Sequence, residues 1–125
     1  MKLDWNKLIT SKRLGTDSKN LQADARNEFE RDVDRVIFSS AFRRLQDKTQ
    51  VFPIPKSDFI NSRLTHSIEV ASILRSLGKS VGTFVIKREG EIRDGHTNEI
   101  ITPDTFANII SASCMDHDIF WRRTI

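Results

Sequence analysis

Ser62-Arg63-Leu64-Thr65-His66-Ser67-Ile68-Glu69-Val70-Ala71-Ser72-Ile73-Leu74-Arg75-Ser76-Leu77-Gly78 sets Leu64, Ile68, Ala71, Leu74 and Leu77 three or four residues apart, which puts them on one face of an α-helix. The spacing predicts an amphipathic helix that starts near Ser62 and stops at Gly78, a residue suited to a helix C-cap. The same period occurs upstream, where Phe29, Val33, Val36, Ile37, Ala41 and Leu45 alternate with Arg26, Glu30, Arg31, Asp34, Arg35 and Arg44 between Ala25 and Leu45. One long helix or two in succession is expected there. Any break falls at Ser39-Ser40, because short hydroxyl side chains compete for backbone hydrogen bonds and cap new helices. In Thr49-Gln50-Val51-Phe52-Pro53-Ile54-Pro55 the prolines exclude regular helix and fix an extended connection. Downstream, Val81 to Ile101 mixes β-branched residues with Gly82, Gly90, Gly95 and many charges, and reads as a short helix or strand leading into a polar loop.

Thr102-Pro103-Asp104 is a strong helix start, with Thr102 at the N-cap, Pro103 at the first helical position and Asp104 in the positive end of the dipole. Phe106, Ile109, Ile110, Ser113 and Cys114 then form the predicted buried face of a helix running up to Met115-Asp116-His117-Asp118. The fold class is therefore all-α. Residues 1–24 are polar and rich in turn formers apart from Trp5, Leu8 and Ile9, so an N-terminal arm with one anchoring turn of helix is expected.

At 125 residues, 38% hydrophobic and 30% charged, the chain has the length and composition of one globular domain. No apolar run approaches the roughly 20 residues that cross a bilayer, and the first residues lack a signal peptide's apolar stretch, so a cytoplasmic location without membrane contact is expected. Twenty basic residues against 17 acidic ones leave a net charge of +3, with the two signs interleaved. That permits phosphate binding without forming a dedicated nucleic-acid patch. The single cysteine, Cys114, has no partner thiol, which excludes a disulfide framework and a cysteine-based zinc site, and it is read as a small buried hydrophobe.

Two places carry chemistry. His66 lies on one amphipathic helix, and His117-Asp118 stand at the end of another. Adjacent residues on a regular helix diverge by about 100°, so the pair is expected at a helix terminus, where the backbone turns and both groups can face one ion. Two imidazoles and a carboxylate suit manganese, iron, zinc or a related divalent metal and leave positions open for water or a phosphate oxygen. Arg63, one turn before His66, would present a guanidinium to phosphate there. Arg43, Arg44 and Lys48 also concentrate positive charge, as a solvated helix end would, with Glu28, Glu30, Asp32, Asp34 and Asp47 mixed in against a nucleic-acid surface.

Four segments taken in order are recognisable: Phe29-Glu30-Arg31-Asp32; Ile37-Phe38-Ser39-Ser40-Ala41-Phe42-Arg43-Arg44-Leu45-Gln46-Asp47-Lys48-Thr49-Gln50-Val51-Phe52-Pro53; Ser62 to Val70; and His117-Asp118-Ile119. They resemble the amino-terminal part of bacterial deoxyguanosinetriphosphate triphosphohydrolases, members of the HD-domain phosphohydrolases. The arginine-to-proline string and the Arg-Leu-Thr-His-Ser motif are far more specific than a His-Asp pair. The resemblance implies an all-helical HD-domain fold over residues 25–119. It also implies one divalent metal (manganese, magnesium or another transition metal), with His66, His117 and Asp118 matching three of its four ligands. By the same matching Gln50 would hydrogen-bond the sugar 3′-hydroxyl and Arg63 would contact phosphate. Enzymes of this kind hydrolyse a deoxynucleoside triphosphate to deoxynucleoside and inorganic triphosphate. They assemble as homo-oligomers, and some bind single-stranded DNA.

After His-Asp-Ile the family continues with a Gly-Asn-Pro-Pro-Phe-Gly-His stretch, a nearby glutamate and, far downstream, the fourth ligand. This chain reads Phe120-Trp121-Arg122-Arg123-Thr124-Ile125 instead. Residues 120–125 therefore form a non-family tail, and the abrupt change resembles a truncated reading frame. The catalytic histidine has no counterpart, so the chain is expected to be inactive alone. The alternative is a non-catalytic interaction fragment, or gene remnant, that docks on a full-length relative.

Overall fold

The computed structural model describes residues 3–15, 25–48 and 62–120, with only the backbone of Phe120. Its helices are α1 (Trp5–Leu8), α2 (Glu28–Phe38), α3 (Ser40–Arg43), α4 (Arg63–Glu89) and α5 (Pro103–Phe120), with one 3-10 turn (Arg44–Asp47) after α3. Between pairs of described residues, strand-like pairing is confined to an isolated antiparallel bridge, Arg93 to Ile100. The all-α class stands.

α2 begins where Asn27 and Glu30 cap each other: Asn27 Oδ1 accepts from the Glu30 N–H at 2.9 Å, and Glu30 Oε2 accepts from the Asn27 N–H at 3.1 Å. The break is at the expected serines. Ser39 ends α2, and its Oγ accepts from the Phe42 N–H at 3.1 Å to open α3. Val33, Phe42 and Leu45 then reach the interior.

α4 differs from its prediction. It runs on through Gly78 and Gly82 to Glu89, and the C-cap is Gly90, whose φ of 85° is the left-handed conformation glycine tolerates. Gly78 and Gly82 face α5 instead of ending the helix. A Cβ on Gly78 would stand 2.9 Å from Ile110 Cδ1 and 3.2 Å from the Ala107 Cα, and one on Gly82 would stand 2.9 Å from three atoms of Phe106. The glycines let two backbones approach closely, and the region from Val81 is helix to Glu89 and loop thereafter. α5 starts as expected at Pro103, with the Thr102 N–H donating to Thr105 Oγ1 at 3.3 Å. Its buried face is wider than predicted because α2 and α4 both pack on it: Thr105, Phe106, Ala107, Asn108, Ser111 and Met115 are buried. Ser113 is exposed and bonds its own helix at Ile109 O, and Cys114 is half-buried. Burial pushes the Cys114 thiol pKa up, away from reactivity.

α4 and α5 pack antiparallel, since Gly82 meets Phe106 while Ser67 meets Asp118. One apolar cluster sits at each end of the pair: Ile9, Val85, Ile92, Ile101 and Phe106 near the connecting loop, and Val33, Phe42, Leu45, Ala71 and Met115 at the other end. The N-terminal turn docks on that loop. Trp5 packs 6.0 Å from Phe106 between ring centroids, the Gly95 N–H donates to Ile9 O at 3.0 Å, and the Arg93 N–H donates to Asn6 Oδ1 at 2.9 Å. No helix among the described residues is long and apolar enough to cross a membrane.

Candidate metal and phosphate site

Ser62 caps α4, its Oγ accepting from the Thr65 N–H at 3.2 Å, and so places Arg63, His66 and Ser67 in the first turns of that helix. The antiparallel pairing brings this end of α4 beside the last turns of α5, which carry His117 and Asp118. His66 and His117 stand with ring centroids 5.9 Å apart, edge to face. His117 Nε2 lies 3.6 Å from Asp118 Oδ2, and Arg63 Nη1 lies 3.8 Å from Asp118 Oδ1. The Asp118 side chain is 16% exposed against 44% for His117, so the carboxylate lies at the floor of the group and the imidazole at its rim.

Helix geometry here departs from the expectation, because α5 does not end at His117-Asp118 but continues to Phe120. The two residues diverge as neighbours on a regular helix must. His117 meets His66 because the facing helix supplies it, while Asp118 lies beside Arg63 and Ser67 of that helix. Of the sequence-chosen residues that fall within the described part, His66 stands beside His117, and Asp118 lies near His117 and Arg63; Gln50 lies outside the described residues.

The donor chemistry fits a divalent cation. His117 Nδ1 is hydrogen-bonded to the Cys114 carbonyl, which can only accept, so Nδ1 carries the proton and Nε2 is the nitrogen left for a ligand. Asp118 supplies two oxygens and His66 a second imidazole. Among the described residues no three His, Cys, Asp or Glu side chains are already close enough to share one ion. The donors are neighbours that require side-chain rotation to converge. Two partners escaped the sequence reading: Ser67, whose Oγ donates to Asp118 Oδ2 at 3.2 Å, and the carbonyl of Cys114. A serine at helical spacing beside a histidine gives no signal of its own.

A separate cleft of about 500 Å³ lies between α1, α2 and α5, lined by Ile9, Phe29, Asp32, Arg35, Ile109 and Asp116 among others. Burial raises the pKa of Asp116 there. Asp32 is held by ion pairs with Arg13 and Arg35, so the cleft is closer to charge balance than its acidic residues alone indicate.

No family model matches the chain. It is similar to curated proteins named deoxyguanosinetriphosphate triphosphohydrolase-like protein. That of Synechocystis sp. is 43% identical over 117 residues, 94% of this chain and 25% of the relative. One from Pseudomonas aeruginosa has the same identity and coverage, and one from Listeria monocytogenes is 49% identical over 96 residues, 74% of this chain and 20% of the relative. The chain spans about a quarter of the length of these relatives.

Proposed function

We propose that this chain, which belongs to the deoxyguanosinetriphosphate triphosphohydrolase-like family over nearly its whole length, carries the metal- and phosphate-facing part of an HD-domain site that hydrolyses a deoxynucleoside triphosphate to deoxynucleoside and triphosphate. The observation that supports the reading is that His66 lies against His117, and Asp118 against His117 and Arg63, where the start of α4 packs on the last turns of α5. His66, His117 and Asp118 would hold a divalent cation, manganese, magnesium or another transition metal. Such an ion, when bound, supplies Lewis acidity toward a phosphoryl oxygen and acidifies the attacking water.

The remaining steps belong to the protein's own side chains. Arg63 offers phosphate oxygens a planar, permanently charged fork. Asp118 holds that guanidinium at the edge of the group until phosphate competes for it. Gln50 has an amide that both donates and accepts, as recognition of a sugar hydroxyl requires. A cytoplasmic location, homo-oligomeric assembly and single-stranded DNA as a further ligand go with this reading.

The test is a chimera in which this chain replaces the 117 matching residues of the Synechocystis relative. It should release inorganic triphosphate from deoxyguanosine triphosphate with manganese present, and His66→Ala or Asp118→Ala should abolish the release. A chimera equally active with both substitutions refutes the assignment.

A further inference from the structure

The hydroxyls of α4 divide by where they point. Ser76, Ser80 and Thr83 are exposed, and each donates to the carbonyl four residues earlier, at 3.5, 3.2 and 2.9 Å. That is the usual resting place of a hydroxyl inside a helix. Ser67 is fully buried, 0% exposed, and its Oγ is directed across the helix interface, donating to Asp118 Oδ2 at 3.2 Å over a sequence separation of 51. The bond approaches the carboxylate from the interior, while Arg63 and His117 approach it from the rim.

Close packing alone does not call for a hydroxyl here. Ser67 shares its buried face with Ala71, Gly78 and Gly82, all small residues that let α5 approach, and alanine at position 67 would serve that purpose equally. What serine adds is one donor aimed at one oxygen of a carboxylate. Without it the side chain of Asp118 could rotate about its terminal torsion, which is broad and weakly restrained.

We propose that Ser67 is a positioning residue, whose buried hydroxyl holds the Asp118 carboxylate at the helix interface as the fixed donor toward which His66 and His117 turn to hold a divalent cation. This role rests on the metal reading above. Outer partners of this kind set the orientation and basicity of a ligand without touching the ion.

The experiment is a manganese titration of the 125-residue chain, with free manganese followed by its electron paramagnetic resonance signal and helix content by circular dichroism. The wild-type chain should show one weak site that His66→Ala removes. Ser67→Ala should weaken that site by about tenfold at unchanged helix content. Ala71→Gly perturbs the same buried face without reaching Asp118 and should leave affinity unchanged. A His66-dependent site with equal affinity in wild type and Ser67→Ala overturns the role of Ser67 alone. Equal tenfold losses in Ser67→Ala and Ala71→Gly mean general packing damage and overturn it too. A wild-type chain with no His66-dependent site overturns the metal reading, and the role of Ser67 with it.

Discussion

Asp94 ties the N-terminal segment to the loop between α4 and α5, and its removal should be among the most damaging changes available outside the apolar core. The residue is 5% exposed. Its carboxylate accepts from the Ser11 N–H at 3.0 and 3.2 Å, from the His96 N–H at 2.7 Å and, more weakly, from the Thr97 N–H at 3.4 Å. Ser11 is itself buried, so its N–H has no evident substitute for the carboxylate. Leaving that donor unpaired costs about 1 to 3 kcal/mol, and losing the His96 bond to a charged acceptor adds about 1. Asp94→Ala should therefore destabilise by about 2 to 4 kcal/mol, a large part of the 5 to 15 kcal/mol typical of a domain. Asp94→Asn, which keeps an acceptor oxygen but not the charge, should lose about half as much. Urea unfolding by circular dichroism gives the magnitude, and hydrogen exchange over residues 3–13 locates it. The pH dependence has a definite sign. Burial works to raise the Asp94 pKa, but the hydrogen bonds from Ser11, His96 and Thr97 outweigh it and hold the group below its ordinary 3.8. Its stabilisation is then full above the unfolded-state value and is lost as pH falls through the lower folded-state value. The gap between wild type and Asp94→Asn should close as the solution is acidified through that range. A difference under about 0.5 kcal/mol at neutral pH, with unchanged exchange over 3–13, would refute the anchoring role.

Gly82→Ala should destabilise by up to about 2 kcal/mol, because the new Cβ meets the Cβ, Cγ and Cδ2 of Phe106, and that overlap outweighs the roughly 1 kcal/mol of helix propensity gained. Gly78→Ala should fall within about 1 kcal/mol of wild type, since its closest neighbour is the flexible Ile110 Cδ1, and urea midpoints that reverse this order would sink the close-packing account. Asn27→Ala removes one half of the reciprocal cap on α2 and should lower stability by about 1 kcal/mol, read as a fall of several degrees in the thermal midpoint. An unchanged midpoint would show that the cap contributes nothing to the folded chain.

The parts of the fold that local rules govern were legible in the sequence. Ser39 acts within three residues of itself and Pro103 restricts only its own turn, so the break between α2 and α3 and the start of α5 follow from neighbours along the chain, whereas the Asn27 cap sets the start of α2 later than the apolar period from Ala25 indicates. Gly78 failed as a signal because glycine has two uses with opposite consequences. It ends a helix where a left-handed φ is needed, as Gly90 does, and continues one where a second backbone passes close by, as Gly78 and Gly82 do. Only the identity of the packing partner distinguishes them, and α5 lies some 25 residues downstream. The long-range role of Asp94 was hidden for the same reason, its Ser11 contact spanning 83 positions.

The candidate site shows the same division in finer detail. Histidine, aspartate and arginine at these positions were conspicuous because their chemistry is visible in any conformation, yet a helix ending at His117-Asp118 is not what sets His117 beside His66. Antiparallel packing of α4 on α5 does so, and the small side chains along α4 that permit it include Ser67. One residue thus answers two demands: its size lets α5 approach, and its hydroxyl reaches the Asp118 carboxylate that the approach delivers. A sequence reading that sorts residues into core or site assigns Ser67 to the core and overlooks the bond, because the bond exists only once the two helices are in contact.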